Sequence, residues 1–197
     1  MQDKILVIAC GAIARELVRI RNLNHWDHLD FQCLPPDLHN TPQRIPRAVK
    51  AKIESQAGFY KKVFVAYADC GTGGALDKVL IELGVERIPG AHCYEFFTGS
   101  EQFQSIAQTE PGSFYLTDFL ARHFERLVIK GLAMDRLPQL KSVYFGNYKR
   151  IVHLAQSESK DLQILARRHA DYLGLEYEYL QCGLSPLSRV LKPVLTC

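Results

Sequence analysis

The run Lys4-Ile5-Leu6-Val7-Ile8-Ala9 constrains the fold more than any other stretch. An unbroken apolar run of this length, ended by Cys10-Gly11, is the pattern of a strand buried on both faces, as in a parallel sheet. From Ala12 to Arg21 the apolar residues fall at Ile13, Leu17 and Ile20, with Arg15, Glu16, Arg19 and Arg21 between them. That spacing is an amphipathic helix. A buried strand, a tight turn and a helix make the first half of a βαβ unit.

The same unit recurs along the chain. His28 to Leu34 reads as a strand, stopped by Pro35 and Pro36, with a loop over 37–42 and a helix from Ile45 to Ala57. Lys62 to Tyr67 is a third strand, ending at Asp69-Cys70-Gly71-Thr72-Gly73-Gly74. A helix from Ala75 to Leu83 follows, capped by Gly84. Val85 to Ile88 is a short strand closed by Pro89-Gly90, and His92-Cys93-Tyr94-Glu95 opens a helix. Glu101 to Gln108, Asp118 to Ile129 and Lys160 to Leu173 are helical, and Leu137 to Phe145 fits neither period cleanly. Phe114 to Leu116, Arg150 to Leu154 and Leu175 to Leu180 are strands, the last near an edge. The tail after Cys182 contains Pro186 and Pro193 and is expected to pack loosely. Alternating strands and helices predict one α/β domain over 1–197. Its sheet is mostly parallel, with helices on both faces and Rossmann-like βαβ units joined by right-handed crossovers.

Charge excludes one class of partner. The chain has 24 basic and 21 acidic residues, a net charge of +3. A nucleic-acid binder concentrates a larger excess on one face, and the densest basic stretch, 46–52, reads as a solvated helix face. No run of about 18 apolar residues is present, so no membrane span is expected. Val7-Ile8-Ala9-Cys10 resembles a lipoprotein cleavage site, but its apolar region is short and Asp3 precedes Lys4. A cytoplasmic protein is expected, with its six cysteines as thiols rather than structural disulfides.

Three of those cysteines share a position. Cys10, Cys70 and Cys93 each follow a predicted strand and precede a predicted helix. Ligands of open α/β sheets bind beyond the carboxyl ends of the strands, so these thiols can converge on a small-molecule or metal site. His39 and His92 lie in loops of the same kind. Gly11, Gly71, Gly73 and Gly74 permit tight turns and close approach of backbone to a bound group. Three thiolates and an imidazole form a tetrahedral zinc ligand set. Fe–S ligation is the alternative for the same thiols. The stretch from Cys70 to Gly74 can also offer amides to a phosphate, although it lacks a P-loop's lysine and spacing. Cys70 as nucleophile, with His39 or His92 as base and Asp69 orienting it, is a further arrangement.

The competing reading is packing, since free cysteine is among the most buried residue types. Cys33, inside a predicted strand, is expected in the core. Cys182 follows the last strand and fits either role, and Cys197 is assigned none. His153, within a strand, is expected as a satisfied core histidine. Tyr67 and Tyr94 can line the crevice and Glu95 can relay a proton, though capping and packing serve equally well.

Ala9-Cys10-Gly11, Leu38-His39-Asn40-Thr41-Pro42, Tyr67-Ala68-Asp69-Cys70-Gly71 and His92-Cys93 together resemble a bacterial and archaeal family. It is the domain-of-unknown-function family numbered sixteen thirty-eight. Tyr148-Lys149-Arg150-Ile151-Val152 and 166–178 extend the likeness over nearly the whole chain. The resemblance implies no activity. It implies company with corrinoid methyl-transfer systems, which adds a corrinoid to the cofactors to be weighed. The expectation is therefore a zinc protein with Cys10, Cys70 and Cys93 as ligands. His39 or His92 is the fourth ligand, or an open position makes it a small-molecule enzyme such as a methyltransferase or hydrolase. A non-catalytic accessory protein holding an Fe–S cluster or corrinoid is the alternative.

Overall fold

The computed structural model describes residues 2–195, with side chains described over 4–192. The chain divides into two compact units. One runs to Cys93 and resumes at Leu187, and the other is Tyr94–Pro186.

The first unit begins with β1 (Gln2–Cys10), a 3-10 turn (Gly11–Ile13) and α1 (Ala14–Asn24). It continues through β2 (Leu29–Leu34), two further 3-10 turns (Pro36–Asn40 and Pro42–Arg44), α2 (Ile45–Ser55), β3 (Tyr60–Ala66), α3 (Ala75–Leu83) and β4 (Glu86–Arg87). The strands pair in parallel in the order β2-β1-β3-β4. The apolar run explains this order. Residues 5–9 are at most 3 % exposed, so β1 must have neighbours on both sides and layers over both faces. Its Ala9 lies opposite Cys33 of β2 and Ala66 of β3. From β1 the chain moves one way to β2, then crosses back over β1 to β3. Right-handed crossovers then put α1 on one face and α2 and α3 on the other, and α2 and α3 pack together. The reversal between β1 and β3 is a topological switch point, where such sheets open a crevice.

The second unit contains α4 (Glu95–Thr98), α5 (Ser100–Thr109), β5 (Ser113–Thr117), α6 (Asp118–Phe124), α7 (Leu140–Phe145), β6 (Arg150–Ala155), α8 (Lys160–Leu173) and β7 (Glu176–Gln181). Its strands are also parallel but run in sequence order, β5-β6-β7, with no reversal. Leu116, Phe124, Phe145, Ile151, Ala166 and Leu173 form its core. The α/β class and the parallel pairing agree with the expectation from sequence. The strands divide between two sheets because β4 is only two residues long and the chain from 95 to 109 is helical, so β5 starts a new sheet.

Two local expectations are corrected. The tail after Cys182 is ordered as α9 (Ser185–Leu195). Pro186 stands in its first turn, where a missing amide costs nothing, and Leu187 and Leu191, one turn apart, are buried. The helix expected from Asp118 to Ile129 is regular only to Phe124 and continues as a wider π turn over Glu125–Lys130. The His169 ring donates to the Ala121 carbonyl at 2.8 Å. A regular helix would reserve that carbonyl for the Glu125 amide, and a side chain inserted into the ladder distorts it.

Candidate thiol site at the strand ends

Cys10 is the last residue of β1, and its sulfur accepts from the Ala12 amide at 3.5 Å, capping the turn that follows. Gly11 lets that turn pass close to β2. A Cβ there would stand 3.1 Å from the Leu34 carbonyl oxygen and 3.2 Å from the Pro36 ring. Neighbouring β3 ends at Ala66, and Tyr67, Ala68 and Cys70 follow, all buried. Cys70 has a φ of 49°. This left-handed conformation costs a residue with a Cβ about 1 kcal/mol and needs surrounding structure to hold it.

Two sets of bonds hold it. The Asp69 amide donates to the Gly90 carbonyl at 3.0 Å, and the Cys70 amide donates to that of Ala91 at 2.8 Å. These clamp the loop after β3 to the segment leading to Cys93. The Asp69 carboxylate accepts from the Thr72 hydroxyl at 2.6 Å, the Gly74 amide at 2.8 Å and the Gly73 amide at 3.1 Å. Arg87 steadies the other strip. It pairs with Asp77 at 2.6 Å and 2.8 Å and donates to the Ile88 carbonyl at 2.8 Å.

The result is a close pair of thiols. Cys70 Sγ and Cys93 Sγ are 3.0 Å apart. The hydrogen bond from Cys93 lowers the Cys70 thiol below its ordinary value, against the effect of burial. The same bond, and then burial, raises Cys93 well above it. Burial pushes Cys10 up to about 11, the Ala12 amide opposes this, and the nearby Cys70 charge adds to it. Cys10 is close enough to feel Cys70, and Cys93 feels both. Of the three predicted ligands, Cys70 and Cys93 are in contact, and Cys10 lies within electrostatic reach of them.

Other predicted site residues are placed differently. His39 and His92 are both exposed on their loops, and the His39 ring is held below its ordinary value by desolvation and then by the charge of His92. Among the described residues, no three His, Cys, Asp or Glu side chains converge as a metal-holding group. The Gly73 and Gly74 amides that a phosphate would use are taken by Asp69, and Asp69 thereby acts on its own loop rather than on a histidine. Gly71 also has a positive φ, 84°, and a Cβ there would touch the Pro42 ring. Cys33 is exposed, contrary to expectation, because β2 is an edge strand. The five described cysteines are free thiols, and Cys197 lies outside the described residues. Tyr94 and Glu95 fall in the second unit, where Tyr94 packs on Phe103 and Tyr115.

The second unit has a polar group at its own strand ends that sequence reading did not assemble. Tyr177 O–H donates to His153 Nδ1 at 3.0 Å when His153 Nε2–H donates to Asp118 Oδ1, also at 3.0 Å. The Ser157 hydroxyl donates to Asp118 Oδ2 at 2.5 Å, and the Asp118 amide donates to Gln156 Oε1 at 2.9 Å. His153 is fully buried with both ring nitrogens bonded, the satisfied core histidine expected. Cys182 is pushed up to about 11 by burial and then by the Asp118 charge.

Residues 33–191 match the family model described as a protein of unknown function, DUF1638, and the chain belongs to that family. No curated protein and no solved structure matches it.

Proposed function

We propose that this DUF1638 member is a metal-thiolate protein, with zinc as the first candidate and Cys10, Cys70 and Cys93 as ligands. The observation that carries this reading is the 3.0 Å approach of Cys70 Sγ and Cys93 Sγ at the switch point of the first sheet. A disulfide would need about 2.05 Å. Two thiolates on one tetrahedral zinc, each about 2.3 Å from it, stand about 3.8 Å apart. Reaching that distance would require the two side chains to rotate, with the clamp at 69–70 and 90–91 holding the backbones. The three-thiol donor set suits a borderline or soft ion. The pair lacks a converged third ligand, and Cys10 would have to leave the Ala12 amide to supply it. The fourth position belongs to an exogenous ligand. Zinc there would supply a Lewis acid for methyl transfer or hydrolysis on a small molecule.

Metal analysis of anaerobically purified protein tests this. Wild type should contain about one colourless zinc per chain, and Cys70→Ser roughly a tenth of that or less. Folding should survive, because the sheet and its helices have a core of their own. Equal zinc in the two proteins overturns the reading. Strong visible absorption would transfer the site to an Fe–S cluster or a corrinoid.

A further inference from the structure

Cys70 and Cys93 are placed for covalent chemistry between their own sulfurs. The two Sγ atoms are 3.0 Å apart, although the residues are 23 positions apart in the chain. A disulfide bond is about 2.05 Å long, so an approach of about 1 Å closes it. The bonds from the Asp69 amide to Gly90 and from the Cys70 amide to Ala91 already hold the two segments together. Among the described residues, no third His, Cys, Asp or Glu converges with the pair as a metal-holding group. Two thiols fall short of a metal site, but a disulfide needs only two. The backbone adds a second observation. Positive φ occurs at 70, 71, 73 and 74, and the last three are glycines. Glycine takes this conformation without steric cost, yet a thiol stands at the first position. Backbone strain held by its surroundings gathers at functional positions.

We propose that Cys70 and Cys93 are a redox-active dithiol, oxidised by hydrogen peroxide to a disulfide and returned to two thiols by a reducing dithiol. One thiol of the pair attacks the peroxide. An S–O bond forms, the O–O bond breaks, and a sulfenic acid and one water result. The second thiol then attacks the sulfenic sulfur. The S–S bond forms, the S–O bond breaks, and the hydroxyl leaves as a second water with the thiol proton. Two electrons pass from the two sulfurs to the peroxide oxygens. A reducing dithiol reverses this through a mixed disulfide and emerges oxidised itself. Cys70 is 6 % exposed and Cys93 is partly exposed, which suits an oxidant as small as peroxide. The proposal does not rest on the metal reading, since it needs neither a metal nor Cys10.

The test uses full-length protein, reduced, freed of metal with a chelator and treated with one equivalent of hydrogen peroxide. Two of the six thiols should be lost, and the intact protein should be lighter by two hydrogen atoms. Trypsin cuts after Lys78 and Arg87, between the two cysteines. The digest should therefore contain two peptides joined through Cys70 and Cys93. Dithiothreitol should restore both thiols. The exposed Cys33 should stay free, and Cys33→Ser should form the same link. In Cys93→Ser the reversible loss at Cys70 should disappear, with Cys70 taking up oxygen instead. Oxygen added to Cys70 or Cys93 of wild type without a link overturns the proposal. So does a link from either to another cysteine, or a thiol loss that dithiothreitol does not reverse. Zinc content has no part in these outcomes, so the metal reading stands or falls separately.

Discussion

The two units solve the same problem at their strand ends in opposite ways. In the second unit the strands run in order, and polar groups gathered beyond β5 and β6 satisfy one another. Asp118 takes bonds from His153 and Ser157, and Gln156 closes onto the Asp118 amide. In the first unit the strand order reverses. The groups brought together there are thiols, which are weak partners, and a buried tyrosine hydroxyl beside Cys10. The second unit's own buried tyrosine hydroxyl, Tyr115, lies in mid-strand among Tyr94 and Phe103. A polar cluster that is complete within the fold is a structural feature. One left incomplete at a topological switch point is where a ligand fits.

The sharpest way to break this comparison is at Asp118. Asp118→Ala leaves the buried His153 donor and the Ser157 hydroxyl without their acceptor. The expected loss is about 3–5 kcal/mol, read from chemical denaturation. Metal content should not change. The charge adds a pH signature. Burial acts to raise the Asp118 carboxyl, but the bonds from His153 and Ser157, with the Arg122 charge, outweigh it, and the net shift is downward. A lowered folded-state pKa gives stability that is complete above the unfolded value, about 3.9. That stability is lost as pH falls through the folded value. Wild type should therefore lose more stability below about pH 4 than Asp118→Asn does. Parallel acid limbs in the two proteins would count against an ionised, bonded Asp118.

The matching change in the first unit is smaller. Asp69 holds the loop of Cys70 through Thr72, Gly73 and Gly74, but it is only partly buried, so water replaces much of what is lost. Asp69→Ala should cost about 1–2 kcal/mol. Zinc retained during dialysis against a weak chelator should also fall, because the Cys70 end of the clamp loosens. Unchanged zinc retention would mean that the bonds at Gly90 and Ala91 hold the thiol pair by themselves.

Most of the first unit could be read from its residues. A buried strand with an apolar run and a turn into an amphipathic helix is a local pattern, and it placed Cys10, Cys70 and Cys93 at strand ends. Their 3.0 Å closeness in one case depends on strand order, which periodicity does not encode. The Asp118 group was missed for the same reason. Asp118 follows β5 and Ser157 follows β6, 39 residues later, and only the parallel register of those strands joins them. In sequence alone, an Asp-x-x-Thr-Gly-Gly loop that folds onto itself is as compatible with Asp69 orienting a histidine as with Asp69 bonding its own loop. Cys33 was placed in the core because an edge strand and a central strand look alike in sequence.

The smallest expected effect falls on Cys33, and it serves as the control for the whole comparison. Cys33 is a cysteine of the same sheet, opposite Ala9 in register, one residue before the pair formed by Cys10 and Leu34. It differs from Cys70 in being exposed on an edge strand. Cys33→Ser removes a thiol from the first unit without touching the clamp or the crevice. Surface changes of this kind stay within about 0.5 kcal/mol, and zinc stoichiometry should match wild type. If Cys33→Ser instead lost zinc as Cys70→Ser does, the metal in wild type would be held by accessible thiols in general. The distinction between a complete and an incomplete set of strand-end groups would then have no bearing on ligand binding.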